Sequence, residues 1–309
     1  MVSIVIPLYN KEKQVANTLQ TVFNQTFQDF EIVIVNDGST DKSIEEVEKF
    51  NDLRIRLIYQ ENAGVSAARN RGIQESKYDY IALLDADDEW YPGYLQEQVN
   101  LIYNYSECSV FACAYEFKTY KGELKPIKLD KIPFSSQTGI LTNYFEIASC
   151  SHPPLWTSAV VVEKKAILSV GGFPVGIKSG EDLLTWACLA ARYSIAYNRR
   201  ALSVFNLSSS ESYDNAPSRV PEKDDYVGVE LKRLYEKNKT IVGLKNYVAL
   251  WFKMRASIFL LFDDKKNTLK EALKSLKYNP FNIRVWAYIL LLIFPKSFKY
   301  KIFQTLGNQ

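Results

Sequence analysis

Tyr80-Ile81-Ala82-Leu83-Leu84-Asp85-Ala86-Asp87-Asp88 is an apolar run that ends in three carboxylates within four positions. The run reads as a strand over Tyr80 to Asp85, and its lack of polar alternation is what a strand buried on both faces requires. Three similar strands precede it, Val2 to Pro7, Phe30 to Asn36 and Arg54 to Gln60, each mostly β-branched or aromatic. Between them, Glu12 to Asn24 carries apolar residues at Val15, Leu19, Val22 and Phe23, and Lys42 to Phe50 at Ile44, Val47 and Phe50, close to a 3.6-residue period. A third helix is entered through Asn62-Ala63-Gly64-Val65-Ser66, and Asp37-Gly38-Ser39-Thr40-Asp41 supplies turn and capping residues before the second. Repeated βα units of this kind predict an α/β fold, a mostly parallel sheet with helices on both faces. Ligands of such a sheet lie beyond the carboxyl ends of its strands, so Asp37 and the Asp85–Asp88 cluster converge where a nucleotide would lie.

Past residue 110 the pattern changes to short strands and Pro-containing turns, with Gly171-Gly172-Phe173-Pro174 and Gly180 as breakers, which predicts a mixed sheet. Glu181 to Tyr193 reads as one helix, Leu207 to Pro221 as a flexible loop, and a basic helical tail follows. The domain reading is residues 1–215, with a nucleotide-binding half over 1–110 and an acceptor half over 111–215, followed by a basic, amphipathic helical region over 216–309. Charge supports that division. Residues 1–221 hold 21 Lys+Arg against 27 Asp+Glu, whereas 222–309 hold 17 against 8, so a net charge of only +3 hides a basic tail. The longest apolar run, Val285 to Phe294, is half of the roughly 20 residues needed to span a bilayer. Met1 leads straight into a strand without a basic leader, so a cytoplasmic location is expected. The four cysteines form no Cys-x-x-Cys pair, and the single histidine, His152, completes no zinc site or Ser-His-Asp triad with its neighbours.

Clustered carboxylates repel unless a cation or strong donors neutralise them, and alternate residues of an extended segment can aim two of them at one hard metal ion. The bland alternative is an acidic turn with Asp88 as a helix N-cap. For Asp37 the choice is between accepting hydrogen bonds from a base and serving the local turn; for Arg69, between a donor to base or phosphate and a solvated helix arginine. Ser179-Gly180-Glu181-Asp182 opens a helix whose dipole would keep a carboxylate ionised, as a general base must be, though Ser179 and Asp182 also fit a capping box. No Gly-x-Gly-x-x-Gly follows the first strand and no P-loop or Gly-x-Ser-x-Gly elbow occurs, which argues against a dinucleotide dehydrogenase, a P-loop phosphotransferase and a serine hydrolase.

Taken in order, Val2 to Asn10, Val35-Asn36-Asp37-Gly38-Ser39-Thr40-Asp41, Asn62-Ala63-Gly64 with Ala68-Arg69-Asn70-Arg71-Gly72, Leu84 to Asp88, Gly171-Gly172-Phe173 and Gly180-Glu181-Asp182 resemble the family 2 glycosyltransferases, inverting enzymes of the GT-A fold. The resemblance covers roughly residues 1 to 200. It implies that Pro7 and Tyr9 line a base pocket, that Asp37 binds the base with help from Arg69, and that Asp85-Ala86-Asp87 is a DxD motif. Asp85 would then face the ribose and Asp87, with Asp88 sharing, would hold Mn²⁺ or Mg²⁺ on the diphosphate. Asp182 would be the catalytic base, with Glu181 orienting it or the acceptor. Arg192 occupies the place of an arginine that often follows in that helix. Many relatives carry a histidine in the next strand, and Ser203-Val204-Phe205-Asn206-Leu207 has none. The implied activity is transfer of a hexosyl or N-acetylhexosaminyl group from a nucleotide sugar, UDP-linked by preference, to a glycan or lipid-linked acceptor in cell-surface polysaccharide synthesis. A sugar nucleotidyltransferase and a non-catalytic scaffold on the same fold stay as alternatives.

Tyr247 to Phe262 and Val285 to Phe294 are greasy and flanked by lysines, among them Lys265, Lys266, Lys270, Lys274, Lys277, Lys296, Lys299 and Lys301. Nucleic acid does not require such helices, whereas an in-plane anchor on the anionic inner face of the cell membrane requires both properties. The competing expectation is a subdomain that packs onto the body or into a homodimer.

Overall fold

The structure, a computed structural model, describes residues 1–207 and 219–295 together with residue 302. The expected alternation is present as β1 (Val2–Leu8), α1 (Val15–Phe23), β2 (Phe30–Asp37), α2 (Ser43–Glu48), β3 (Ile55–Gln60), α3 (Val65–Glu75) and β4 (Tyr80–Leu83). β5 (Glu89–Trp90) and α4 (Tyr94–Asn104) lead to β6 (Val110–Lys118), β7 (Leu124–Pro126), β8 (Thr138–Ile140) and α5 (Tyr144–Cys150). A 3₁₀ turn at Thr157–Ala159 precedes β9 (Val160–Glu163), α6 (Lys164–Ser169), α7 (Glu181–Ala190) and β10 (Ile195–Asn206). The helical region comprises α8 (Tyr226–Lys237), α9 (Leu244–Leu261), α10 (Lys265–Tyr278) and α11 (Ile283–Leu291).

The strands form one mixed sheet in the order β3-β2-β1-β4-β9-β6-β10-β5, with β7 on β6 and β8 on β10. β1 lies parallel between β2 and β4, and β3 is parallel to β2. β9 enters antiparallel to both β4 and β6, which turns the nucleotide-type sheet into a mixed one. Alternate residues of β1 feed two cores: Val5 belongs to a cluster with Trp186 and Phe252, Ile4 and Ile6 to one with Leu19 and Leu95. The sheet therefore has an apolar layer on each face, as its unalternating strands require.

Several local expectations shift. β4 ends at Leu83 because the Asp88 amide donates to the Asp85 carbonyl at 3.0 Å and closes a turn that leads into β5. Asp88 therefore caps no helix. The strands past residue 110 include two long ones, β6 of 9 and β10 of 12 residues, since register shifts around Arg199 and Arg200 let β10 continue through polar positions. α7 stops at Ala190, short of Tyr193.

The two greasy segments of the tail differ in their surroundings. Tyr247, Val248, Trp251 and Phe252 of α9 join the apolar cluster that contains Trp186 and Ala187 of α7, so that face of α9 packs on the body, as the competing expectation has it. On α11, Ile283, Trp286 and Leu290 remain exposed on one stripe, continued by Ile293 just past its end. Among the described residues no helix is long and apolar enough to cross a membrane. Residues 208–218 of the expected loop, and Lys296, Lys299 and Lys301, lie outside the described residues.

Candidate active site

The turn that follows β4 puts its three carboxylates in three different environments. Arg69, from α3, donates through Nη2 to both oxygens of Asp85 at 2.7 and 2.9 Å. Lys11, from the loop after β1, places its ammonium on Asp87 Oδ2. β1 and β4 are adjacent and parallel, so the loop leaving one strand end necessarily faces the turn leaving the other. Asp88 is turned into the interior, where Oδ2 accepts from Ser158 Oγ at 2.5 Å and Oδ1 from the Asn206 amide at 3.2 Å. Burial, then the charges of Asp85 and Asp87, hold the Asp88 carboxyl well above the usual carboxylate range. Burial also raises Asp87, against the pull of Lys11. Of the two expected metal ligands, Asp87 thus faces the loops at the strand ends, whereas Asp88 is hydrogen-bonded within the fold. Asn206, in the segment that lacks the family histidine, donates its amide to the Asp87 carbonyl at 2.7 Å.

Asp37 is 2% exposed at the end of β2. Its carboxylate accepts from Gln60 Nε2 at 2.7 Å, the Ala63 amide at 2.9 Å and the Gly64 amide at 2.9 Å. These donors lie in the next βα unit, so Asp37 anchors the entry to α3 and does not serve its own turn. Pro7 is half-buried on β1 and Tyr9 is exposed just beyond it, beside the same strand ends.

The other half of the site is the head of α7. Gly180 precedes it at φ +82° with no side-chain cap, so the capping box is not formed and both acidic residues lie in the first turn. Arg69 Nη1 lies 3.5 Å from Glu181 Oε1, and the guanidinium carbon sits 5.1 Å from the centre of the Phe173 ring. Arg69 is therefore not a solvated arginine. It is a buried cation that joins Asp85 to the head of α7. Burial, then Asp182, push the Glu181 carboxyl up to about 7, with Arg69 opposing. Burial raises Asp182 as well, and Arg69 again opposes it. Desolvation thus outweighs the helix dipole expected to keep these groups ionised. Asp182 Oδ1 accepts from the Leu183 amide at 2.7 Å.

Two motifs that the sequence suggested only by resemblance have a structural task. Asn70 clamps the backbone of Phe173, donating to its carbonyl at 2.7 Å and accepting from its amide at 2.8 Å. Gly172, at φ +69°, would place a Cβ 2.4 Å from Asn70 Oδ1, so a side chain there breaks the clamp. The helical region also takes part, which sequence reasoning missed. A Cβ on Gly180 would meet the Trp251 ring at 2.5 Å, and Tyr247 donates to the Leu183 carbonyl at 3.3 Å. Trp251 Nε1 is itself held by Asp225 Oδ1 at 2.9 Å. A cavity of about 410 Å³ lies against this junction, lined by Lys178, Ser179, Trp251, Met254, Arg255 and Ile258 among others. Arg192 is turned to the Ser169 carbonyl and takes no part in the acidic cluster.

Among the described residues no three His, Cys, Asp or Glu side chains converge as a ready-made metal cage. The donor set is nonetheless right for Mg²⁺ or Mn²⁺, which bind through one or two carboxylates and complete their shell with water and phosphate. Asp87 already carries a cationic partner, the Lys11 ammonium, so the position is built for positive charge.

A family model described as glycosyl transferase family 2 matches residues 3–157. An uncharacterised glycosyltransferase of Rickettsia bellii is 30% identical over 200 residues, 62% of this chain and 26% of that protein. Glycosyltransferase GlyA of Streptococcus pneumoniae is 35% identical over 123 residues, 39% of this chain and 18% of that protein. The chain thus spans about a quarter or less of the length of these curated relatives. The crystal structure of S. aureus TarS 1-349 in complex with UDP-GlcNAc matches with a TM-score of 0.69 at 17% identity, over 99% of this chain and 90% of that one. A mannosyltransferase from Pyrobaculum calidifontis in complex with GDP-Man and Mn²⁺ matches with a TM-score of 0.60 at 15% identity, over 99% and 84%. At these identities the likeness is one of fold, and the fold is GT-A.

Proposed function

The chain belongs to glycosyl transferase family 2, and we propose that it is an inverting enzyme acting in cell-surface polysaccharide synthesis. It transfers a hexosyl or N-acetylhexosaminyl group from a UDP-linked sugar to a hydroxyl of a glycan or lipid-linked acceptor. The observation that carries this reading is the buried Arg69, which pairs with Asp85 on the donor side and with Glu181, next to Asp182, at the head of α7. The UDP-GlcNAc in the TarS complex supports the choice of uridine.

Pro7, Tyr9 and Asp37 line the base pocket at the ends of β1 and β2, and Asp85 faces the ribose. Asp182 takes the proton of the acceptor hydroxyl as that oxygen bonds to the anomeric carbon. The bond from that carbon to the diphosphate oxygen breaks in the same displacement, which inverts the configuration. Glu181 orients Asp182 or the acceptor, and the cavity beside Ser179 and Trp251 is the entry side for the acceptor. Mn²⁺ or Mg²⁺, held by Asp87, would supply the positive charge that the departing diphosphate needs.

Calorimetric titration with UDP, GDP, CDP and dTDP, each with and without Mn²⁺, tests the reading. Tight binding of UDP only with metal, lost in Asp37→Ala and Asp87→Ala, is expected. Failure to bind any of the four would refute the donor assignment and favour a non-catalytic scaffold.

We also propose that the protein acts at the cytoplasmic face of a membrane, seated through α11. The support is its exposed stripe of Ile283, Trp286 and Leu290, continued by Ile293 just past its end, in a region with an excess of basic residues. Flotation of the full chain with anionic vesicles, abolished in a Trp286→Glu, Leu290→Glu variant, is expected. A wild type that stays with the soluble fraction and runs as a dimer would assign the stripe to a second copy instead.

A further inference from the structure

The loop after β1 is fixed at its root and free at one end. Asn10 sits at φ +51° with its Oδ1 accepting from the Thr40 amide at 2.8 Å. The Lys11 amide donates to Ser43 Oγ at 2.7 Å and the Glu12 amide to Asp41 Oδ2 at 3.0 Å. The backbone around Lys11 is thereby stitched to the loop between β2 and α2 and to the first residue of α2, while its side chain reaches away from that anchor. That side chain ends on Asp87 Oδ2, with one-third of its surface exposed. The three carboxylates of the acidic turn are held differently: Asp85 by the buried Arg69 on both oxygens, Asp88 by Ser158 and the Asn206 backbone amide, and Asp87 by Lys11 on Oδ2.

We propose that Lys11 is a resident counter-ion that keeps Asp87 closed to divalent metal until a nucleoside diphosphate arrives. An ammonium and a divalent cation repel each other on one carboxylate, so metal alone must displace a paired charge. A diphosphate entering at the strand ends brings negative charge within reach of a four-carbon stem with an anchored root. The ammonium then turns to phosphate oxygen and vacates Asp87, so metal and nucleotide bind as a coupled pair. Lys11 is in this sense a positioning residue for the donor. The inference rests on the nucleotide-sugar reading above.

The test is Mn²⁺ binding followed by electron paramagnetic resonance and calorimetry, with and without UDP, on wild type, Lys11→Met and Lys11→Arg. Lys11→Met is expected to bind Mn²⁺ alone about tenfold or more tightly than wild type, and to lose most of the enhancement that UDP gives. Lys11→Arg, which keeps the charge, should behave as wild type. If wild type binds Mn²⁺ with UDP while Lys11→Met gains nothing for Mn²⁺ alone, the counter-ion role is overturned and the donor site stands. If wild type binds UDP but takes up no Mn²⁺ with it, the counter-ion role is overturned and the donor site stands; if UDP itself does not bind, the nucleotide-sugar reading falls and this inference with it.

Discussion

Replacing Arg69 with methionine removes one cation from among three carboxylates. Its Nη2 bonds both oxygens of Asp85 at 2.7 and 2.9 Å, its Nη1 is 3.5 Å from Glu181, and its side chain is 6% exposed. Breaking a buried pair by removing one partner costs about 3–5 kcal/mol, because the remaining charge stays desolvated. Against a usual total of roughly 5–15 kcal/mol the variant should fold, with a lowered melting temperature. At an effective dielectric of about 20, unit charges at the Arg69–Glu181 separation interact by roughly 5 kcal/mol, an upper bound of about 3.5 pKa units. Glu181, already at about 7, must rise further, and Asp182, which Arg69 also holds down, rises with it. A base is active when ionised, so the acid limb of kcat/KM should move to higher pH, by about 1–2 units once solvent and relaxation take their share. The assay is release of nucleoside diphosphate from about pH 5.5 to 9, alongside thermal melts. Arg69→Lys should restore part of the shift. A folded Arg69→Met variant whose acid limb stays within about 0.3 unit of wild type would refute the claim that this cation tunes the head of α7.

Asp182→Asn should lower kcat by about 10²–10⁴ while UDP affinity, measured by calorimetry, stays within twofold or so, since the group acts on the acceptor. Glu181→Gln has a stability signature whose sign follows from linkage. Its carboxyl titrates higher in the folded chain, at about 7, than at its ordinary 4.5, so its stabilising contribution is complete below about 4.5 and is lost as pH rises through 7. The glutamine variant should therefore match wild type at pH 4.5 and exceed it by about 2–3 kcal/mol at pH 8 in denaturant melts. Trp251→Ala empties the space against Gly180 and removes one of the donors to Asp225, at a cost of about 3–5 kcal/mol. Because Trp251 abuts the head of α7, kcat should fall in it even where the chain remains fully folded; unchanged kcat would show that α9 merely packs.

The order of βα units was legible because it is a local property. Strands buried on both faces have to be mostly apolar without polar alternation, and β1, β2 and β4 are, with Ser3 and Glu31 the buried polar exceptions before the strand ends. The acidic turn was legible for the same reason, as a break in that pattern at a strand end. Reading failed where two opposing local tendencies had to be weighed. The helix dipole and the desolvation of Glu181 and Asp182 pull in opposite directions, and only the depth of the α7 head decides for desolvation. The greasy α9 carried the same letters as a membrane-seated helix, and the apolar partner it found was the body of the protein.

The sequence by itself thus determined which segments become strands and helices, where the chain changes character, and that acidic groups gather at the carboxyl ends of the sheet. Tertiary structure alone decided what each of those groups is bound to. Lys11 reaches Asp87 across 76 residues and Ser158 reaches Asp88 across 70, and the arginine that joins Asp85 to Glu181 belongs to a third element again. The physical reason is range. Hydrophobic periodicity acts over a few residues and is written along the chain, whereas the charge state and availability of a carboxylate depend on which cation or hydroxyl the folded sheet brings within 3 Å or so of it.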